Sequence, residues 1–248
     1  MKIEDKIRKK AVKASVDFGM INNGDKIIMG ISGWKDSMLM AYMLSEIKKK
    51  SHLDFELKWV YIHKKFLMRC EVDFTPTEDF FKSIGVELEI IDIDLPEGSR
   101  LAEGIWVSCQ WCSYARRISL MKLCEKRGYN RIALGHHMDD IVTTFFMNMI
   151  NSRNTTIMPP INVMKRWDIS IIRPLAYSRE QEIMNCTKKL EIPFSPCMCP
   201  VGDTSRRQDI KKMLREMEEK EPDSIVNIFW SVIKEFKLKY EDKGYKVY

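Results

Sequence analysis

Residues Lys26–Leu44, KIIMGISGWKDSMLMAYML, decide how the chain is read. The apolar run Lys26–Ile31 is strand-like and follows a turn, Asn22-Asn23-Gly24-Asp25. A small polar loop comes next, and from Ser37 to Lys49 apolar residues recur at helical spacing. Strand, loop and helix start in that order favour an anion, because free backbone N–H groups, the positive helix end and the Lys35 ammonium converge. The plainer reading is that Asp36 and Ser37 only cap the helix, and the pattern alone supports both. The loop lacks the Gly-x-x-x-x-Gly-Lys-Ser/Thr spacing of a Walker A motif, and no Gly-x-Gly-x-x-Gly is present.

The same alternation continues outward. Apolar positions at helical spacing among lysines predict an amphipathic helix over about 3–20. Strands are expected at Phe55–His63, Val86–Ile93, Arg131–Gly135 and Ile169–Pro174. Helices are expected at Phe74–Ile84, Ser113–Lys126, from HHMDD to Ile150, Arg179–Leu190, Arg206–Glu219 and Ser224–Lys237. An irregular stretch, DLPEGSRLAEGIWVS, precedes the first cysteine pair, and the tail LKYEDKGYKVY is polar. Strands alternating with helices predict an α/β fold: an open doubly wound, mostly parallel sheet with helices on both faces. Ligands bind such sheets at the carboxyl ends of the strands, where SGWKDS and GHHMDD both fall. With no repeat or linker, residues 1–248 read as one domain, with the N-terminal helix and the helices of about 205–237 as appendages.

Bulk properties narrow the class. The chain has 248 residues, 45% hydrophobic and 31% charged, the balance of a soluble globular protein. Its apolar runs fall short of a membrane span, and MKIEDKIRKKAVKA has no apolar signal core, so a cytoplasmic location is expected. Net charge is +6, gathered at Arg116-Arg117, Lys165-Arg166, Arg206-Arg207, Lys211-Lys212 and Arg215, which favours a negatively charged partner. Seven cysteines, an odd number, argue against a disulfide framework. Cys70, Cys124 and Cys186 stand alone and read as buried bystanders.

Two further motifs carry chemistry. Cys109-Gln110-Trp111-Cys112, followed by Arg116-Arg117, has a distant companion in Pro196-Cys197-Met198-Cys199-Pro200. Two cysteines plus a third suit an iron–sulfur cluster with one open iron. Four thiolates equally suit a closed zinc site, which spacing alone slightly favours. Gly135-His136-His137-Met138-Asp139-Asp140 sits at a strand-to-helix junction. Its carboxylates either stabilise the helix start, or one of them faces a nucleotide and holds Mg2+ or handles a proton. The two histidines, taken as adjacent helical residues, are not expected to face one site.

SGWKDS resembles the Ser-Gly-Gly-x-Asp-Ser loop of the PP-loop ATP pyrophosphatases, also called adenine nucleotide alpha hydrolase-like proteins. The ordered set SGWKDS, CQWCSYARR, IALGHHMDDIVTTFFMNM, Met158-Pro159-Pro160, IIRPLAYSREQEI, FSPCMCP and RRQDIKKMLREME resembles the tRNA 2-thiocytidine synthetase family (TtcA) over roughly residues 15–235. The resemblance implies ATP cleavage to AMP and pyrophosphate, adenylation of the C2 carbonyl of an anticodon-loop cytidine, and replacement of that oxygen by sulfur. It implies that Ser32, Gly33, Lys35, Asp36 and Ser37 hold the ATP phosphates, with Gly135 and His136 also at the nucleotide. Cys109, Cys112 and Cys197 would hold a [4Fe-4S] cluster, in place of the zinc that spacing favours. Asp139 or Asp140 would assist at the α-phosphate with Mg2+, and Arg116 takes the place of a basic catalytic residue. Lys35 and Asp36 would also act in catalysis. The implied partners are tRNA, a sulfur donor (a protein or sulfide) and a second copy of the chain.

Four positions depart from the family pattern. Trp34 replaces the second loop glycine, Cys197-x-Cys199 replaces Cys-x-x-Cys, His63 stands where relatives often have Asp, and Thr143 where they often have Glu or Gln. If position 34 needs a left-handed backbone, a non-glycine residue costs on the order of 1 kcal/mol. The retained Lys35, Asp36 and Ser37 favour a working loop with the indole turned outward. Two alternatives stay open: a PP-loop relative with another acceptor, such as lysidine-type ligation, and a non-catalytic nucleotide- or RNA-binding relative.

Overall fold

The computed structural model describes residues 1–64, 75–93, 109–194 and 206–241, with only the backbone of Lys64, Cys109, Gln110 and residues 239–241. Six strands form one sheet: β1 (Lys26–Ile31), β2 (Glu56–Lys64), β3 (Leu88–Ile93), β4 (Arg131–Ala133), β5 (Ile161–Met164) and β6 (Ile169–Ile172). Their order is β3-β2-β1-β4-β6-β5, and every pairing is parallel except β5 with β6. The strand order reverses between β1 and β4, where Met29 pairs with Ala133. That reversal opens a crevice at the carboxyl ends of the two strands.

Strand alternation sorts the core into two layers. On one face, Ile27, Met29 and Ile31 of β1 meet α2 (Lys35–Lys50), joined by α1 (Ile3–Asp17), α3 (Thr75–Ser83), α5 (Met138–Ser152) and α6 (Glu180–Lys189). On the other face, Ile28, Val60, Ile62, Ile132 and Ile171 pack against Leu120, Met121 and Cys124 of α4 (Cys109–Arg127). Each fully buried aliphatic side chain of this kind contributes about 1.5–3 kcal/mol. The C-terminal helices α7 (Arg206–Lys220) and α8 (Ser224–Glu241) supply Ile210, Leu214, Ile225, Phe229 and Ile233 to the first layer. Cys124 and Cys186 are fully buried, as their isolation suggested, while Cys70 lies outside the described residues.

Several boundaries differ from the sequence expectation. The first helix stops at Asp17, two residues before Gly19 turns the chain with φ +55°. The single strand expected at Ile169–Pro174 is the second arm of a hairpin, whose first arm, β5, is only four residues long and went unread. Asp168, at φ +51°, lies in the connecting turn. The helix expected from Ser113 begins at Cys109, so Cys109-Gln110-Trp111-Cys112 is its first turn, not the end of an irregular stretch. The stretch 94–108, the Cys197–Cys199 segment and the last seven residues lie outside the described residues.

One close approach ties the two loops at the crevice together. A Cβ on Gly135, just after β4, would lie 2.8 Å from Ser37 N and 2.9 Å from Asp36 C, both backbone atoms of α2. Backbone has no rotamer with which to yield, so Gly135→Ala is expected to destabilise the protein by about 1–3 kcal/mol. Thermal unfolding of the variant checks this; an unchanged midpoint would show that the two loops are not pressed together.

Candidate active site

The β1–α2 loop turns at Gly33, whose φ of +81° suits a residue without Cβ. Trp34, by contrast, has φ −77° and ψ 153°, ordinary extended backbone. The strain weighed for a non-glycine residue at position 34 therefore does not arise. The Trp34 side chain is 42% exposed and stands where two clefts meet.

Trp34, not Asp36 or Ser37, is the residue that caps α2, and it makes no side-chain capping bond. Asp36 and Ser37 lie inside the first turn, which corrects the capping reading. Ser37 Oγ accepts the Ser32 N–H at 3.1 Å, meets Ser32 Oγ at 2.9 Å and donates to the Trp34 carbonyl at 2.9 Å. The loop is thus closed by its two serines, while the first-turn N–H groups keep no acceptor inside the helix. Ser32, Asp36 and Ser37 line one wall of a cavity of about 200 Å³. Gly135, His136, Asp140, Ser113, Arg116 and Arg117 line the rest, with aliphatic residues such as Ile62 and Leu134.

The α4 wall follows helical periodicity. Positions 109, 112–113, 116 and 120 are spaced by three or four residues, so they form one stripe, which reaches the cavity at Ser113, Arg116 and Leu120. Cys112 is a free, half-buried thiol. Cys197 and Cys199 fall outside the described residues. Among the described residues no three His, Cys, Asp or Glu side chains converge as a metal site.

The two adjacent aspartates have different surroundings. Asp139 accepts the Glu180 backbone N–H at 2.7 Å and Arg179 Nε at 3.1 Å, anchoring the start of α6. It lines only a second cleft of about 580 Å³ beside α7. Asp140 lines both clefts and binds Arg207 of α7, and it accepts the His137 backbone N–H at 3.3 Å. Burial pushes both carboxyls up, but His137 with Arg179 at Asp139, and His137 with Arg207 at Asp140, outweigh it and hold both far below the usual carboxylate range.

His137 caps α5, so the histidine pair lies before that helix and not on it, yet the two do not face one site, as expected: His136 lines the first cavity and His137 the second cleft. His137 is 1% exposed. Its ring stands 3.3 Å from Asp140, 3.5 Å from Asp139 and 3.6 Å from Asp36, and these carboxylates raise its pKa despite burial. His136 faces the cavity with a buried Nδ1 that has no partner. Burial first, then the nearby Arg173 charge, lower its pKa to about 3, so it is neutral.

Lys35 is 4% exposed, and its ammonium donates to Asp36 at 2.9 Å and Glu180 at 3.2 Å. Burial disfavours that charge, yet Asp36 and Glu180 prevail and raise its pKa. Its side chain lines the second cleft, not the first cavity. Sequence reasoning did not single out Arg179, Glu180 and His137 as site residues. The available signal was their charge at loop-to-helix junctions on the carboxyl side of the sheet. Among the departures, His63 pairs with Asp92 at 2.7 Å, and Thr143 donates to the Asp139 carbonyl at 2.6 Å. Lys165-Arg166 lies in the β5–β6 turn, at the opposite end of the sheet from the cavity.

A switch-point cavity with a left-handed loop glycine, an uncapped helix start and a buried aspartate defines a nucleotide-binding α/β protein. Residues 2–214 match the PP-loop domain family. The tRNA-cytidine(32) 2-sulfurtransferase of Ralstonia nicotianae is 35% identical over 237 residues, covering 92% of this chain and 73% of the relative. That of Alcanivorax borkumensis is 36% identical over 245 residues, covering 93% and 81%. The chain belongs to the tRNA-cytidine(32) 2-sulfurtransferase family of PP-loop proteins. The solved U34-tRNA thiolase NcsA from Methanococcus maripaludis, with its [4Fe-4S] cluster, shares the fold: TM-score 0.74 at 22% identity, covering 96% of this chain and 79% of that one.

Two expectations follow from these surroundings. Asp139→Asn weakens the α6 anchor and Asp140→Asn the contact with Arg207, so each is expected to cost about 2 kcal/mol of stability, but only Asp140→Asn, at the first cavity, is expected to lose Mg-ATP binding. Equal behaviour of the two variants in nucleotide titration would contradict the division. The second concerns pH. His136 has a folded pKa of about 3, far below the ~6.5 of a free imidazole. Below pH ~6.5 the unfolded chain therefore takes up a proton that the folded one refuses, and stability falls. His136→Asn is expected to flatten the fall in unfolding temperature between pH 7.5 and 5. His137 acts in the opposite direction in both proteins and cancels from the comparison.

Proposed function

We propose that this chain uses ATP to thiolate cytidine 32 of tRNA, with Ser32, Gly33, Asp36, Ser37, Gly135 and His136 at the nucleotide. The observation that carries the reading is the single cavity walled by the PP-loop on one side and by the α4 stripe on the other. The cytidine C2 carbonyl oxygen attacks the ATP α-phosphorus, the bond from that phosphorus to the bridging oxygen breaks, and pyrophosphate leaves with the electron pair. Hydrosulfide then adds at C2, a proton is lost, and AMP departs with the former carbonyl oxygen. Sulfur enters at the sulfide level, so no net oxidation occurs.

The chain's own groups fit these steps. The first-turn N–H groups of α2 offer donors to the pyrophosphate. Asp140 is ionised and reaches the cavity, which suits Mg2+ held by a carboxylate together with phosphate oxygens. Arg116 offers a cation to charge developing on the α-phosphate. Lys35 acts indirectly, fixing Asp36 against Glu180. Asp139 likewise serves the site by anchoring α6.

The cysteine set fits a [4Fe-4S] cluster in two respects. Positions 109 and 112 share the first turn of α4, and the Cys112 thiol is free and not fully buried. Cys109, Cys112 and Cys197 would be its ligands, leaving one iron to bind hydrosulfide delivered by a protein or as free sulfide. The tRNA would reach the cavity past Arg116 and Arg117, with a base turned out of its stack, and phosphate contacts from the exposed Arg206, Lys212 and Arg215 of α7. No helix among the described residues is long and apolar enough to cross a membrane, and the proposed substrate places the protein in the cytoplasm.

AMP release from ATP by the anaerobically reconstituted protein is expected only when unmodified tRNA is present. Trp34→Gly is expected to change that rate by no more than a few-fold, since Trp34 already has an unstrained backbone. No AMP with any tRNA, with the cluster confirmed, would contradict the reading. A large gain on Trp34→Gly would show that the indole obstructs the loop.

A further inference from the structure

Arg173, directly after β6, is 4% exposed. Its Nη1 donates to the Pro159 carbonyl at 2.6 Å, but its buried Nε has no partner, and among the described residues no carboxylate pairs with it. A buried guanidinium left with an open N–H is costly, and such a group calls for an anion that completes it. Next to it, His136 Nδ1 is also buried and unpartnered. Arg173 acts electrostatically on His136, Arg117 and Asp140, all of which line the first cavity.

Arg116 and Arg117 line that cavity from α4, and neither has an acidic partner among the described residues. Asp140 does not neutralise this wall, because Arg207 and His137 already engage it. Two guanidinium groups therefore line one side of a cavity whose other side is the PP-loop, and the buried Arg173 adds a third positive charge that acts on the lining residues His136, Arg117 and Asp140 from outside the lining. The loop takes the pyrophosphate end of ATP. The group that must lie between the loop and an acceptor coming along α4 is the α-phosphate, since the acceptor oxygen bonds to that phosphorus.

We propose that Arg117 and Arg173, together with Arg116, form an anion subsite separate from the PP-loop that binds the α-phosphate of ATP and, after transfer, the phosphate of AMP. This rests on the reading that ATP is cleaved to AMP and pyrophosphate. Arg117 touches the phosphate from the cavity wall. Arg173 is a positioning residue that supplies charge from behind His136. An RNA backbone phosphate is the other source of the same chemistry, but Arg173 is buried at the end of β6, where a polynucleotide does not reach.

The test measures binding of AMP, adenosine, pyrophosphate with Mg2+, and unmodified tRNA to the cluster-containing full chain. Arg117→Gln and Arg173→Gln are expected to weaken AMP about tenfold or more, leaving adenosine and pyrophosphate within about twofold. Arg173→Lys is expected to recover most of the loss. Parallel weakening of AMP and pyrophosphate, or no change in AMP, overturns the proposal. Loss of tRNA affinity with AMP unchanged overturns it in favour of an RNA phosphate site. If Arg173→Gln does not fold, Arg117→Gln, exposed on α4, decides alone. These titrations need no turnover: a chain that divides AMP from pyrophosphate in this way, yet releases no AMP with tRNA, would lose the thiolase reading and keep the subsite.

Discussion

The site depends on one close contact, Gly135 against the first turn of α2. The chain leaving β4 passes so near Asp36 and Ser37 that a single methyl group would meet their backbone at under 3 Å. Because β1 and β4 are neighbours in parallel register, the loops that follow them open into the same crevice. The contact presses the PP-loop turn of one against the His-His-Met-Asp-Asp turn of the other. Without it, the buried aspartate and the uncapped helix start would not share a cavity.

That proximity concentrates charge, and most of the remaining arrangement compensates it. Three aspartates surround His137, and each has a further cation: Lys35 for Asp36, Arg179 for Asp139, Arg207 for Asp140. Two of these cations reach on to α6 or α7, through Lys35–Glu180 and Arg179–Glu218, and Lys211–Glu180 closes the ring. Buried pairs of this kind are costly to break one partner at a time. The consequence is rigidity: α7, which begins just after the segment carrying Cys197, is tied to the same aspartates that surround His137. The arginines are the opposite case: Arg116 and Arg117 of α4 face the cavity with no acidic partner among the described residues, and Arg173, just after β6, is buried nearby with no carboxylate paired to it.

The sheet was legible because strand and helix periods alternate cleanly from β1 to β6, and that alternation admits few topologies. β5 was not legible, since four residues at an antiparallel edge carry too little pattern. Within the site, the residue types at Ser32–Ser37 and Gly135–Asp140 were readable from spacing and resemblance, and the structure brings them together. Their division of labour was not readable. Asp139 and Asp140 are neighbours in sequence and share the second cleft, yet only Asp140 also reaches the first cavity, because successive helical residues point about 100° apart. Lys35 looked like a phosphate ligand, but its side chain turns to Glu180, a residue 145 positions away that no local pattern links to it. His136 and His137 part as expected of neighbours, but His137 does so as the cap of α5, entering the second cleft among three carboxylates that no local pattern gathers.

The departures at Trp34, His63 and Thr143 cost the frame little. Trp34 sits where the backbone is extended, and Gly33 alone supplies the left-handed turn. His63 and Thr143 each have a hydrogen-bond partner within the fold. Relatives named for cytidine 32 match nearly the whole length of the chain, so the central claim concerns which base receives sulfur. Nucleoside mass spectrometry of unmodified tRNA, incubated anaerobically with the reconstituted protein, ATP and sulfide, tests it most directly. The account predicts ATP-dependent 2-thiocytidine that disappears when position 32 is not cytidine. Thiolation of a uridine instead, or AMP release with no thiolated nucleoside, would contradict it.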